Sequence, residues 1–359
     1  MFFVDKYSPK TIDEAIMHKD ELKKLQRMSK DESIPHLIFY GPDGCGKKTM
    51  ISHFLEMVYG PSVHKMADVM YTVTGSGNSV QQIPIKQSPF HIVIEPNNNN
   101  FDRYLIQDVV KEYAKKVPNV FTTSRSFKVV LINNIDNLSY YAQTSLRRTM
   151  ELYSDTCRFI MWSRSLSKVI DPLRSRCYCF RLKSPTQGDL MEILLRISSK
   201  EGILMKLDDY DDIISKSDSN IKTALWLLEL KKFNEPSRTS YDDIIDTIIS
   251  YIISFNLDNL QYIRLLLYKI MITNISGTQI IKDLVKKLLE RKDINFECKS
   301  EIPELSAKFE HNLIRGRREI IHLEAFINGV MYTLAKNNKF EPKKVKQSKK
   351  MNDIMSDVD

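Results

Sequence analysis

The sequence predicts an α/β domain, a parallel sheet with helices on both faces, followed by a small helical domain and a second all-helical one. Three observations predict it. A short apolar run, "IPHLIFYG" at 34–41, leads straight into the glycine-rich turn "GPDGCGKKT" and then into a helical pattern. Further apolar runs alternate with amphipathic helical stretches up to about residue 183. After Pro185 the strand pattern stops and helical periodicity continues almost to the end.

Taken in order, the first strand at 34–41 feeds the helix "KKTMISHFLEMVYG", which places Met50, Phe54, Met57 and Val58 on one face. "FHIVIE" at 90–95 is a second strand, closed by "PNNNN". The helix "DRYLIQDVVKEYAKKV" follows, and then "FKVVLINNID" at 127–136, whose continuous β-branched run reads as a buried parallel strand. "YYAQTSLRRTMELY" and "CRFIMWSR" add another helix and strand, an alternation that builds a sheet covered by helices. Residues 187–232 are helical, with "DLMEILLRISSKEG" ending on a glycine at a C′ position. From about 240 to 335 the periodicity is again helical, as in "DNLQYIRLLLYKIMI" and "REIIHLEAFINGVMYTLA". The expected domains are 1–183, 184–235 and 236–335, with a tail at 336–359.

Bulk properties exclude several classes. A chain of 359 residues exceeds one core, which is consistent with several domains. The N-terminus meets charge by Asp5, so a signal-peptide apolar region has no room. The most apolar tract, "YDDIIDTIISYIISF", is interrupted by Asp and Ser at helical intervals and suits a core helix; no membrane partner is expected. Five cysteines without a C-x-x-C pair support neither zinc nor a disulfide framework, and point to a reducing, intracellular setting. The net charge of +8 is concentrated in 336–350, where seven lysines meet one glutamate. That tail is a solvated end, or an arm that attracts nucleic acid or targets the nucleus.

"GPDGCGKKT" follows the phosphate-loop pattern G-x-x-x-x-G-K-[ST] at Gly41, Gly46 and Lys47. In such a loop, backbone N–H groups surround the phosphates and the lysine neutralises them. Gly41, Gly44 and Gly46 permit the path, Pro42, Asp43 and Cys45 lie along it, and Lys47 supplies the charge. The next position needs a hydroxyl to ligate Mg²⁺, and it is Lys48. Thr49 lies about 100° further round the helix.

The order of motifs resembles the small subunits of replication factor C, the AAA+ clamp loader that sets the sliding clamp (PCNA) on primed DNA. "FVDKYSPKTIDE" is similar to the family's N-terminal V-[DE]-K-Y-R-P box, and "PHLIFYGPDGCGKKT" to its phosphate loop. "LRRTMELYSDTCRFI" resembles the segment after its Walker B strand, and "SKVIDPLRSRC" the segment ending in S-R-C. The subunit type carrying G-K-K-T is the nearer match, and its last helices read much like "GRREIIHLEAF". The motifs run from about residue 3 to 335.

The resemblance implies an AAA+ domain, a helical lid and a helical collar, ATP or ADP as ligand, and sister subunits, PCNA and primer–template DNA as partners. It places the adenine near Val4 and Tyr7, although Ser8 replaces the family's arginine. The Walker B strand of the family ends D-E-x-D, and here Asn133 and Asn134 stand for the first two, leaving Asp136. An amide cannot act as a general base. The sensor-1 asparagine falls on Arg164, and the sensor-2 arginine on Lys222, which keeps the charge but loses the fork. A nucleotide site without hydrolysis is therefore expected, with Mg²⁺ doubtful and Lys48 partly replacing it; an alignment shifted by one residue is the competing explanation.

Arg176 in "RSRC" corresponds to the family's arginine finger, which reaches the next subunit's γ-phosphate in trans, or else it is a salt-bridged surface residue. Arg103, Arg147 and Arg148 are candidates for DNA phosphate contact, or solvated charges paired with Asp102 or Glu151. Two rivals remain: a competent ATPase using Thr49 and Asp136, and a DNA-binding AAA+ scaffold outside the loader. Richness in Lys, Ile and Asn points to an A+T-rich genome of a protist or large DNA virus, hence a nucleus or a viral cytoplasmic factory.

Overall fold

The computed structural model describes residues 2–9, 11, 14–75, 80–96, 102–116, 125–233, 240–254, 259–273, 275–316 and 318–336. The basic cluster beyond Lys336 lies outside the described residues. The chain divides into two units, Met1–Glu235 and Pro236–Asp359.

In the first unit the strands are β1 (His36–Tyr40), β2 (Ala67–Thr74), β3 (Val80–Gln87), β4 (His91–Ile94), β5 (Lys128–Ile132), β6 (Cys157–Ser163) and β7 (Cys177–Arg181). They form a seven-stranded sheet in the order β2-β3-β4-β5-β6-β1-β7. From β4 to β7 all pairings are parallel, with Val130 opposite Phe159 and Leu37 opposite Ile160. Strand alternation sends Ile38, Val130, Ile132, Phe159 and Met161 into one core and Leu37, Phe39, Val129 and Ile160 into the other. Burial on both faces is why these strands read as unbroken apolar runs.

The sheet is mixed where the sequence led us to expect a parallel one. β2 and β3 form an antiparallel pair, and β3 joins β4 antiparallel through Lys86 and Gln87. Their signal is weak for a physical reason: β2 is an edge strand with most residues exposed, and β3 contains Pro84. Proline cannot donate to a ladder, and Pro84 sits beyond the end of the β3–β4 pairing.

The helices of this unit are α1 (Phe3–Lys6), α2 (Lys19–Met28), α3 (Lys47–Tyr59), α4 (Asp102–Leu105), α5 (Lys111–Lys115), α6 (Tyr140–Leu152), α7 (Asp171–Arg174), α8 (Gln187–Glu201), α9 (Leu207–Lys216) and α10 (Ile221–Lys232). A π-turn, Ile106–Val110, joins α4 to α5. α2 and α3 supply the core on one face of the sheet, and α4 to α6 that on the other. α8 starts at a capping box on Thr186 and stops at Gly202, which has φ +66. α8, α9 and α10 enclose their own core, and Phe3 is buried in it.

The second unit consists of α11 (Ser240–Ser254), α12 (Asn259–Ile272), α13 (Gly277–Glu290), α14 (Phe296–Arg315) and α15 (Glu319–Lys336). Isoleucines and leucines from all five make one core around Leu267, Leu284 and Phe326. Polar ties hold its surface, among them Tyr241 donating to Asp283 Oδ2 at 2.7 Å and Lys287 to Asp246 at 3.0 Å.

Candidate nucleotide-binding site

Parallel pairing brings the carboxyl ends of β1, β5 and β6 side by side, so Gly41, Asn133 and Arg164 emerge at one edge of the sheet. Open α/β sheets bind ligands there. The loop after β1 is pressed against its surroundings. A Cβ on Gly41 would lie 2.2 Å from the Leu182 carbonyl oxygen, and one on Gly44, at φ +73, 1.9 Å from Asn220 Oδ1. Gly46 is the N-cap of α3, and no side chain caps that end. Its first N–H groups are therefore available to an anion.

Lys47 is buried and curls back over the loop, donating to the carbonyls of Gly41 at 2.7 Å and Pro42 at 2.6 Å. A cavity of about 1090 Å³ opens beside it. It is lined by loop residues 43–46, by Lys47, Lys48 and Thr49 of α3, by Val4 and Tyr7 of the N-terminal segment, and by α8 and Lys222 of α10. Six cationic side chains (Lys6, Lys47, Lys48, Arg196, Lys200 and Lys222) line it against three acidic ones, Asp5, Glu14 and Asp43. The volume, the apolar residues near Ile16 and Met50, and this charge suit a nucleotide. The N-terminal segment is locked to the helical part. Lys6, Tyr7 and Lys232 all bond Glu201, and these partners, Lys232 foremost, hold its carboxyl down to about 2.

The metal half is built differently. Asn133 uses both ends of its amide: Oδ1 accepts from Trp162 Nε1 at 2.9 Å, and Nδ2 donates to Glu95 at 2.8 Å. The Trp162 ring in turn faces the ammonium groups of Lys47, at 5.3 Å, and Lys48, at 5.8 Å. Asn134 stands at φ +53 with its Oδ1 buried and unpartnered. Asp136 Oδ2 accepts from the Arg164 backbone N–H at 2.8 Å, and the Arg164 guanidinium spans Asp136 and Asp43, at 3.8 and 3.7 Å. Mg²⁺ requires hard oxygen ligands. The Lys48 ammonium and the Trp162 indole offer none, the Asn133 oxygen is taken by Trp162, and Asp136 Oδ2 is held by Arg164, which leaves the buried Oδ1 atoms of Asn134 and Asp136 without a partner. An ammonium beside neutral amides makes this a weak donor set for Mg²⁺.

Arg176 lies away from this cavity, following α7. It donates to the Pro172 carbonyl at 2.7 Å and pairs with Glu151 at 2.5 Å. Arg147 shares the same carboxylate at 3.1 Å, and the two arginines, Arg147 first, hold Glu151 below the usual carboxylate range. Arg148 is exposed, and Arg103 lies over the Tyr141 ring at 6.0 Å.

The chain is 38% identical to a replication factor C small subunit of Acanthamoeba polyphaga mimivirus over 357 residues, covering 97% of this chain and 95% of the relative. It is 33% identical to replication factor C subunit 5 of Oryza sativa subsp. japonica, covering 91% and 96%. The chain belongs to the replication factor C small-subunit family. Residues 244–338 of this clamp-loader protein match the family described as replication factor C subunit 3, C-terminal domain, and residues 17–186 that described as DNA polymerase III, delta subunit. Among solved structures it is similar to a DNA polymerase III gamma subunit-related protein from Thermotoga maritima, with 13% identity, a TM-score of 0.47, and coverage of 88% of this chain and 99% of that one. No described helix is long and apolar enough to cross a membrane.

No motif in the sequence of this replication factor C subunit marks Trp162, Glu95, Asn220 or Glu201. Trp162 lies in a strand that scans as ordinary core. The Arg164 bridge joins a loop to a strand end 121 residues apart in sequence. Only the fold brings them together.

Proposed function

We propose that this chain serves in a hetero-oligomeric clamp loader as a subunit that holds a nucleotide without Mg²⁺ and without hydrolysing it, while lending Arg176 to a neighbouring subunit. One observation carries the reading: the Asn133–Trp162–Lys48 arrangement stands where a metal and an attacking water would need carboxylates. Lys47 and the open N-terminus of α3 remain to hold phosphates, and Lys48 brings a second ammonium to their side. The Val4–Tyr7 segment and Lys222 close over the base and phosphates. Arg176 and Glu151 form an exposed pair that a neighbour's phosphate would open. In the rival reading, Thr49 and Asp136 would ligate a metal; the engagement of Asp136 by Arg164 argues against it. Sister subunits, the sliding clamp and primer–template DNA are the partners, in the nucleus or a viral replication site.

Two measurements test this. Turnover of the reconstituted loader with clamp and primed DNA should lose a large share for Arg176→Ala, since the one site it serves would lose a finger worth about 10³–10⁵ in rate, while Lys47→Ala leaves most of it. Equal losses would sink the division of labour. Nucleotide binding to the purified chain should survive EDTA within about threefold, and drop about tenfold or more in Lys47→Ala, which loses a charge-assisted contact.

A further inference from the structure

The exposed start of α6 has no part in the nucleotide site, yet it gathers an unusual set of side chains. Tyr140 and Tyr141 are each 68% exposed, their rings 6.0 Å apart and nearly perpendicular, at 80°. Single exposed aromatics are ordinary, but an adjacent pair on a helix end marks a contact surface. Arg103 of α4 lies over one face of Tyr141, so the ring is held by a cation. Tyr141, Thr144 and Arg148 follow at i, i+3 and i+7 and are all exposed. They form a stripe of ring, hydroxyl and guanidinium about 10 Å long. Arg148 has no ion pair among the described residues, whereas Arg147 is neutralised by Glu151.

Cations alone would suit a duplex backbone, where the bases are stacked and hidden. Two exposed rings beside two arginines match what unpaired bases on a phosphate chain present: a π-face for stacking and a charge within reach. We propose that Tyr140 and Tyr141, with Arg103 and Arg148, form a platform that stacks unpaired bases of a single-stranded nucleic acid. The site accepts any sequence, since every base has a π-face. This inference rests on the reading of the chain as a loader subunit that meets DNA.

The test uses the assembled loader containing the full chain, and primer–template oligonucleotides carrying 2-aminopurine at successive unpaired template positions. Quenching is expected at one or two positions, lost in Tyr140→Ala/Tyr141→Ala and kept in Tyr140→Phe/Tyr141→Phe. The alanine pair should weaken binding of a single-stranded tail about tenfold and leave a blunt duplex of equal length unaffected. Arg103→Ala/Arg148→Ala should weaken both and flatten the salt dependence. Quenching that ignores the alanine pair overturns the platform alone. So does loss of the subunit from the complex on gel filtration, which would assign the face to a sister subunit. A wild-type loader that binds neither DNA overturns the platform and the DNA-contacting role together.

Discussion

Trp162 shows how one side chain can redirect a site. Its N–H fixes Asn133, and its face carries two ammonium groups. Trp162→Phe keeps the face and loses the N–H, so nucleotide affinity should change by less than about threefold. Trp162→Ala removes both, and titration calorimetry should register a loss of about 1 kcal/mol, the size of a partly buried cation–π contact. Glu201 gives a second residue-scale expectation. Its carboxyl titrates near 4.5 when free and near 2 in the fold, so its contribution is complete above pH 4.5 and fades as pH falls from there toward 2. Proteolysis of the N-terminal segment should accelerate over that window in the wild type and be fast already at neutral pH in Glu201→Gln. The substituted identities of Lys48, Asn133, Asn134 and Arg164 were legible in the sequence, because each departs from a fixed chemical requirement. What they do instead was not, since a tryptophan in an apolar strand carries no mark of an outward polar task.

Among the elements, the loop between β1 and α3 is the most constrained. Its Gly44 carries φ +73 and touches the N-cap of α10, so Gly44→Ala meets both left-handed strain and a clash with Asn220. The strain alone costs about 1–2 kcal/mol, and a melting scan should show a fall of roughly 5 °C, together with weaker nucleotide binding. β1, β4, β5 and β6 could be read from sequence because strands buried on both faces are uniformly apolar. β2, β3 and β7 could not. Their outward residues are polar or exposed, Tyr178 among them, and Pro84 breaks the β3 pattern, tolerated because it lies past the end of the β3–β4 pairing.

At the scale of the whole molecule, the change from alternating strands and helices to helices alone was legible, because periods of two and 3.6 differ over any long stretch. The use of the helical surface was not. On α12, Tyr262, Leu265 and Ile272 are 43%, 55% and 85% exposed at spacings of three and seven, one apolar stripe on a helix whose other side fills a core. Leu265→Ser/Ile272→Ser should leave the melting temperature of the isolated chain within about 1 °C, while native mass spectrometry shows reduced incorporation into the loader. A last consequence follows from Phe3, which lies in the core of α8–α10 and donates its N–H to Glu229, 226 residues further along. During synthesis Phe3 and its neighbours must wait for nearly the whole of the first unit before their apolar side chains are covered. Contacts of such sequence separation form late and slowly. The segment around Phe3 is thus among the last parts of the first unit to be finished, and until then its apolar side chains stay open to a chaperone.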